Sequence, residues 1–395
     1  MTINQLLDGL ATARENGSAG LTEAASALEK TLRAAGAEVS LQEFVCRPYA
    51  ARLAGVVCFT LSVVFCVLMW RRRFVWALLV AALLPAYLGL DYELRLPLLS
   101  RIGAVREHSI IARFPVAQPQ RTVILTAHYD TKTDLLDDYQ RAPIQFLIVP
   151  ILVITLALPL TALWRQASGH DERHVRMWAA LVPLYFFGFL LMMSGGAIVS
   201  ARSPGALDDA AAVATLTKLA EQLGGREPPL EHTEIEIVLF AGEEVGLQGS
   251  AAYVAERLMP PLPRPTYVIN GERWGYGRGL SYFVSERSAW RRYDASGTLV
   301  RTLDHALRQL VSGAGLVPDI QPVSTDARSF LAAGIPSVAL GSQRNGDGQI
   351  RGLHSAADNR DRIQAGTLEQ TVAFLQAALA DIDAHGVEGE GTTER

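Results

Sequence analysis

The sequence predicts an α/β fold, with a mostly parallel or mixed central sheet flanked by helices, into which four transmembrane helices are inserted as two hairpins. Two observations predict it. Short β-rich runs alternate with helical patterns through the polar part of the chain, which is the signature of an α/β sandwich. Four long uncharged runs then interrupt that alternation in two close pairs, each pair joined by a short arginine-bearing turn.

Helical apolar spacing covers Gln5 to Arg14 and Leu21 to Ala35, the second closed by Gly36, a residue suited to a helix C-terminus. Strands are expected at Ser109 to Phe114, Thr122 to Thr126, Glu234 to Phe240, Tyr267 to Asn270, Leu280 to Val284 and Ser337 to Leu340. Helices are expected at Asp208 to Leu223, Leu247 to Leu258, Thr298 to Val311 and Ile363 to Ile382. In such folds ligands collect at the carboxyl ends of the strands.

The uncharged runs are Leu53 to Trp70, Phe74 to Leu90, Ala142 to Trp164 and Met177 to Ala201. A helix rises about 1.5 Å per residue and needs about 20 residues to cross hydrocarbon, so each run is a candidate span. Trp70, Tyr87, Trp164 and Trp178 mark run ends, as in an interfacial aromatic belt, and Pro85, Pro159 and Pro183 lie inside, where membrane helices tolerate them. The organisation that follows has catalytic-domain segments at 1–50, 93–141 and 202–385, hairpins at 51–92 and 142–201, and a disordered tail at 386–395. The first 50 residues are polar and mixed, so no secretory leader is expected. Six arginines sit in the turn Arg71, Arg72, Arg73 and the loop Arg165 to Arg176, which favours a cytoplasmic position for both and an extracytoplasmic one for the catalytic domain.

Composition agrees. The chain has 395 residues, 49% of them apolar and 19% charged, with a mean hydropathy of +0.18; that excludes a disordered, collagen-like or disulfide-stapled protein. The net charge of −4 carries no long basic block, so nucleic acid is not an expected partner, whereas the lipid bilayer is. Cys46, Cys58 and Cys66 crowd into one early stretch and form neither a disulfide framework nor a CxxC metal site.

Five places could carry chemistry. Thr126-Ala-His-Tyr-Asp130 follows a strand, and residues two apart on extended chain share a face, so Asp130 is placed to hold the far nitrogen of His128. Gly205-Ala-Leu-Asp-Asp209 delivers two carboxylates where one would suffice for a helix cap. Gly242-Glu-Glu-Val-Gly246 puts adjacent acids, Glu243 and Glu244, at the end of a buried strand, which is costly unless a cation meets them. Glu272 follows the short strand at Tyr267 to Asn270, and His354 lies in Gly352-Leu-His-Ser-Ala-Ala-Asp358. Singly, each reads as structural. Together they supply the nitrogen and oxygen ligands that zinc takes, and five ligands with one shared carboxylate suit two metals about 3.5 to 4 Å apart.

The ordered series His128-x-Asp130, Gly-Ala-x-Asp208-Asp209, Gly-Glu243-Glu244, Glu272 and Leu-His354-x-x-x-Asp358 resembles the M28 family of zinc metallopeptidases, which contains aminopeptidases, some carboxypeptidases and the glutaminyl cyclases. Arg14-Glu-Asn-Gly-Ser18, the helix to Gly36 and Val39 to Phe44 resemble the opening of that fold, and Thr325 to Phe330 leading into Ala333-Gly-Ile-Pro336 resembles its later part. The resemblance implies His128, Asp208, Glu244, Glu272 and His354 as ligands of two zinc ions bridged by Asp208. It implies Asp130 as the group orienting His128 and Glu243 as general base. The implied activity is a membrane-bound exopeptidase acting on peptide N-termini; a glutaminyl-cyclase-like acyltransferase with one zinc and an inactive receptor with the peptidase fold are the alternatives.

Two departures stand out. The family usually has Asp where this chain has Glu272, and the His that commonly follows the late Asp is Ala327 here, with Arg328 next. His170-Asp-Glu-Arg-His174 has the histidine spacing of a zincin helix without its Glu in second place, and reads as a juxtamembrane loop.

Overall fold

Arg121 to His128 is buried along its whole length, which is how a strand with neighbours and covered faces on both sides behaves. In the computed structural model, which describes residues 1–93, 96, 99–225, 229–258, 261–277, 279–288, 291–320, 324–343 and 350–390, this segment lies inside an eight-stranded sheet. In chain order the strands are β1 (Glu38–Cys46), β2 (Val105–Phe114), β3 (Arg121–His128), β4 (Thr233–Phe240), β5 (Thr266–Glu272), β6 (Leu280–Phe283), β7 (Ser285–Arg287), β8 (Arg292–Asp294), β9 (Val317–Asp319) and β10 (Ser337–Ser342). The sheet order is β1-β2-β4-β3-β5-β10-β6-β9, and β7 pairs with β8 separately. Strands β4, β3, β5 and β10 run parallel, while β1, β2 and β6 join antiparallel, so the sheet is mixed. His128 is in register with Phe240, and the carboxyl ends of β3, β4 and β5 open on one edge.

The chain divides into two compact units. The first, residues 1–46, 105–132 and 203–395, holds the sheet. Its helix Ala19–Ala34 starts at Ser18, whose hydroxyl accepts from Leu21 N, and buries Leu21, Ala24, Leu28 and Leu32. Two expected helices begin or end elsewhere. The first stops at Leu10 because Arg14 is drawn into the interior, its backbone N–H donating to Thr131 Oγ1 at 2.8 Å. The helix expected from Asp208 starts at Ala211, since Asp208 and Asp209 have non-helical backbone angles and are bound elsewhere. Strand β1 extends the resembling stretch Val39 to Phe44 at both ends, and β7, β8 and β9 are additions to the expected set. The tail expected to be disordered is docked as far as Glu390: Val387 is buried, and Glu390 accepts from the buried Arg121 at 2.9 Å. Residues 391–395 of that tail lie outside the described residues.

The second unit, residues 47–104 and 133–202, is helical. Among the described residues, four helices are long and apolar enough to cross a membrane, by length and composition: Ala50–Trp70, Phe74–Asp91, Gln140–Ala167 and Arg173–Met193. The fourth ends short of the expected Ala201 and starts before the expected Met177. The packed interior of this unit mixes small residues, among them Ala54, Cys58, Ala77, Ala81, Ala162 and Ala179, with large ones such as Phe65, Phe74, Phe186 and Phe189, while Trp76, Phe146, Trp164, Trp178 and Leu184 are exposed. The His170–His174 stretch is split between a turn and a helix start; His170 stacks on Trp164, and Glu172 is buried against Arg72 at 2.5 Å.

In the first unit Glu286 of β7 is buried, accepting from Thr325 N and Oγ1 at 2.8 Å each, and burial pushes its carboxyl from 4.5 up to about 7. The native state therefore holds a proton that the unfolded chain releases above about pH 4.5. This group's stabilisation is complete below that value and lost as pH rises through about 7. Glu286→Gln is expected to narrow the difference in melting temperature between pH 5 and pH 8, by the equivalent of up to about 3 kcal/mol, measured by thermal denaturation of the purified protein.

Candidate metal centre

Asp130, Glu243 and Glu244 lie on the loops leaving β3 and β4, Glu272 ends β5 and Asp208 precedes the helix Ala211–Gly224; a set of backbone N–H groups and one buried arginine fixes this framework. Asp130, fully buried, accepts from Asn16 Nδ2 at 2.7 Å, Glu243 N at 3.2 Å and Glu244 N at 3.1 Å. Its Oδ1 also stands 3.5 Å from His128 Nδ1, and its carbonyl oxygen lies 3.2 Å from the same nitrogen. One carboxylate thus backs the histidine and clamps the acidic turn after β4. Gly242 allows that turn, with φ +75° and a Cβ position only 3.1 Å from the Phe44 ring.

The Asp208 segment is held from two sides. The Arg14 guanidinium, wholly buried, donates to the carbonyls of Thr12, Tyr129, Pro204 and Gly205 at 2.6 to 3.2 Å. The Asp358 carboxylate accepts from Leu207 N at 2.9 Å and Asp208 N at 3.2 Å. Asp209 accepts from Arg273 N at 3.0 Å, so the second acid of the pair anchors the loop after β5. These bonds leave the Asp208 side chain aimed at two histidines: Oδ1 is 3.1 Å from His128 Nε2 and Oδ2 is 3.2 Å from His354 Nε2. His354 Nε2 is also 3.1 Å from Glu244 Oε1.

Two groups result, His128 with Asp208 and Glu272, and Asp208 with Glu244 and His354, each with one donor atom per residue within 4.8 Å of the others. All five predicted ligands are therefore brought together, with Asp208 shared. Glu243 stands beside them, its Oε2 3.9 Å from His128 Nε2. The spacing fits zinc: ligand atoms bonded at about 2.0 to 2.1 Å in a tetrahedron stand about 3.3 Å apart. So does the chemistry, since the donors are imidazole nitrogens and carboxylate oxygens, and the buried Oε2 of Glu272 has no hydrogen-bond partner among the described residues.

Electrostatics point the same way. Burial raises the Glu243 carboxyl well above its ordinary value, and Glu244, Glu272 and Asp326 raise it further against the pull of His128. Burial likewise pushes Glu272 up to about 8. For His128, burial opposes the charged form, but Glu243, Asp130 and Asp208 prevail and hold the imidazole well above its usual range. Acids crowded this closely bind either protons or a cation.

Three contributors were not singled out by residue type: Arg14 as the loop's anchor, Asn16 as a partner of Asp130, and Asp326, whose carboxyl burial pushes up to about 7 beside this cluster. Arg14 and Asn16 belong to the stretch whose resemblance was noted, but nothing local to it announces a partner more than a hundred residues away.

The family model for peptidase family M28 matches residues 191–379. That range contains Asp208, Glu243, Glu244, Glu272 and His354. Among solved structures, a Zn-dependent exopeptidase from Parabacteroides distasonis is 15% identical, with 96% of each chain covered and a TM-score of 0.55. The LapA aminopeptidase of Legionella pneumophila is 12% identical over 97% of this chain and 72% of its own, TM-score 0.52. A glutaminyl cyclase from Porphyromonas gingivalis is 14% identical over 96% and 97%, TM-score 0.55. At these identities the structures establish the shared fold, and the family match with them supports a metallopeptidase hydrolase. No curated protein matches the sequence.

Asp358→Ala removes the acceptor of two backbone N–H groups that aim Asp208. Zinc affinity measured by chelator competition is expected to fall about tenfold to a hundredfold.

Proposed function

We propose that this chain is a membrane-embedded, zinc-dependent exopeptidase that removes residues from peptide N-termini. The observation that carries the reading is Asp208, whose two oxygens face two different histidines at 3.1 and 3.2 Å. His128, Asp208 and Glu272 would hold one ion, and Asp208, Glu244 and His354 the other. Bound zinc supplies Lewis-acid polarisation of a carbonyl and lowers the pKa of water at the site.

The chain's own residues do the rest. Glu243 takes the proton from the attacking water and returns it to the leaving amine nitrogen, so water consumed equals peptide bond broken and no covalent enzyme intermediate is formed. Burial raises its pKa first, and the neighbouring Glu244 and Glu272, which raise it further, are acids that bound cations would neutralise. Asp130 keeps His128 in place through Nδ1 and, through Glu243 N, keeps the base on the same turn. Glu243→Gln is expected to lower kcat by about 10² to 10⁴ with bound zinc unchanged, measured by turnover and metal analysis on the same preparation.

Glutaminyl cyclases share this fold, and two donor groups rather than one favour the peptidase reading over theirs. A panel of aminoacyl peptides, their N-blocked forms and an N-terminal glutaminyl peptide separates the readings. Release of the first residue only from free amino ends supports the aminopeptidase. Cyclisation of the glutaminyl peptide without hydrolysis, or cleavage only beside a free carboxylate, overturns it.

The four apolar helices are read as spans in two hairpins, each returning the chain to the side it left, so all three catalytic-domain segments lie on one side. The arginine-bearing turns favour the cytoplasm for themselves and the opposite side for the catalytic unit. The chain is expected to remain in the membrane pellet after alkaline carbonate washing and to be released by detergent; release by carbonate alone would contradict the spans.

A further inference from the structure

Glu272 differs from the other acidic ligands in having a cation beside it. Arg273 Nε lies 3.5 Å from Glu272 Oε1, both side chains buried. Among the described ion pairs, Asp208 and Glu244 face only histidines. Arg273 is held by its own restraints: its N–H donates to Asp209 at 3.0 Å, its backbone sits at φ +54°, and its guanidinium stands 5.5 Å from the centroid of the buried Phe283 ring. The two oxygens of Glu272 are therefore unequal. Oε1 faces the guanidinium, while the buried Oε2 has no hydrogen-bond partner among the described residues.

We propose that Arg273 is a positioning residue that biases Glu272 toward ligation through Oε2 and lowers the divalent-ion affinity of the His128–Asp208–Glu272 position without acting on the other. The inference rests on the two-ion reading above. Its physical cause is twofold. A guanidinium 3.5 Å from Oε1 draws on that oxygen's charge and weakens it as a second ligand atom, and a fixed positive charge next to Glu272 repels a dication there. The longer side chain of Glu, in place of the Asp usual in similar proteins, gives the carboxylate the reach to meet both the arginine and the site.

The test uses cobalt(II) as probe on full-length, detergent-solubilised protein stripped by chelator. His354→Ala leaves the Glu272 position as the one competent to bind, and His128→Ala leaves the other. Adding Arg273→Met is expected to raise cobalt affinity about tenfold in the first background and to lower the visible absorptivity of the bound ion, as ligation by both oxygens raises the coordination number. In the second background neither reading changes. Arg273→Lys, which keeps the charge, is expected to stay close to the parent, and Arg273→Gln takes the place of the methionine variant if that one does not fold. An equal change in both backgrounds, no change in either, or a lysine variant that behaves like methionine overturns the inference while leaving the metal centre intact. Failure of the unsubstituted protein to bind cobalt overturns the metal centre and the inference together.

Discussion

Too many carboxylates share too little space at the edge of this sheet, and the rest of the first unit is arranged around that fact. Burying an ionised acid costs several kcal/mol unless it is paired or hydrogen-bonded. The chain meets this in two ways. Asp130, Asp209 and Asp358 accept backbone N–H groups and serve as struts. Asp208, Glu244 and Glu272 receive no such bonds in the described structure and face imidazoles, an arginine or one another. The acids left without N–H donors are the ones whose charge needs a cation to balance it. That sorting separates framework from chemistry more sharply than residue type does.

The struts also explain why the site is built from remote segments. Arg14, before the first long helix, secures the loop that carries Asp208, and Asn16 holds Asp130. A buried guanidinium donating to four carbonyls fixes backbone without adding a competing ligand, since arginine has no lone pair to offer a metal. Long excursions separate β1 from β2 and β3 from the Asp208 segment, yet β1 and β2 pair over their whole length, from Glu38 with Arg113 to Cys46 with Val105. An excursion that leaves and returns as a hairpin brings its ends close together, so the sheet can close across it.

Much of the fold was legible because periodicity and burial coincide. The apolar runs at Thr122 to Thr126 and Glu234 to Phe240 became the parallel β3 and β4, and Gly36 closes its helix with φ +85°. The errors lie where tertiary bonds override local preference. Asp208 and Asp209 look like the first turn of a helix, but the Asp358 carboxylate and the Arg273 N–H draw that segment out of helical geometry. Arg14 looks like the polar end of an amphipathic helix, but its guanidinium satisfies carbonyls in the interior. The tail from Gly386 looks featureless, yet Glu390 is needed by the buried Arg121.

The sequence by itself determined which residue types are present, their order, and the alternation that makes an α/β sheet with four apolar helices set into it. Those follow from spacing along the chain, where side-chain direction repeats every two or 3.6 residues. Only the tertiary structure decided that Asp209 and Asp358 become struts, that Arg14 and Asn16 secure the site from a distant segment, and that Arg273 leans on Glu272. Each of these depends on distances of about 3 Å between residues far apart in the chain, and no local pattern records such a distance.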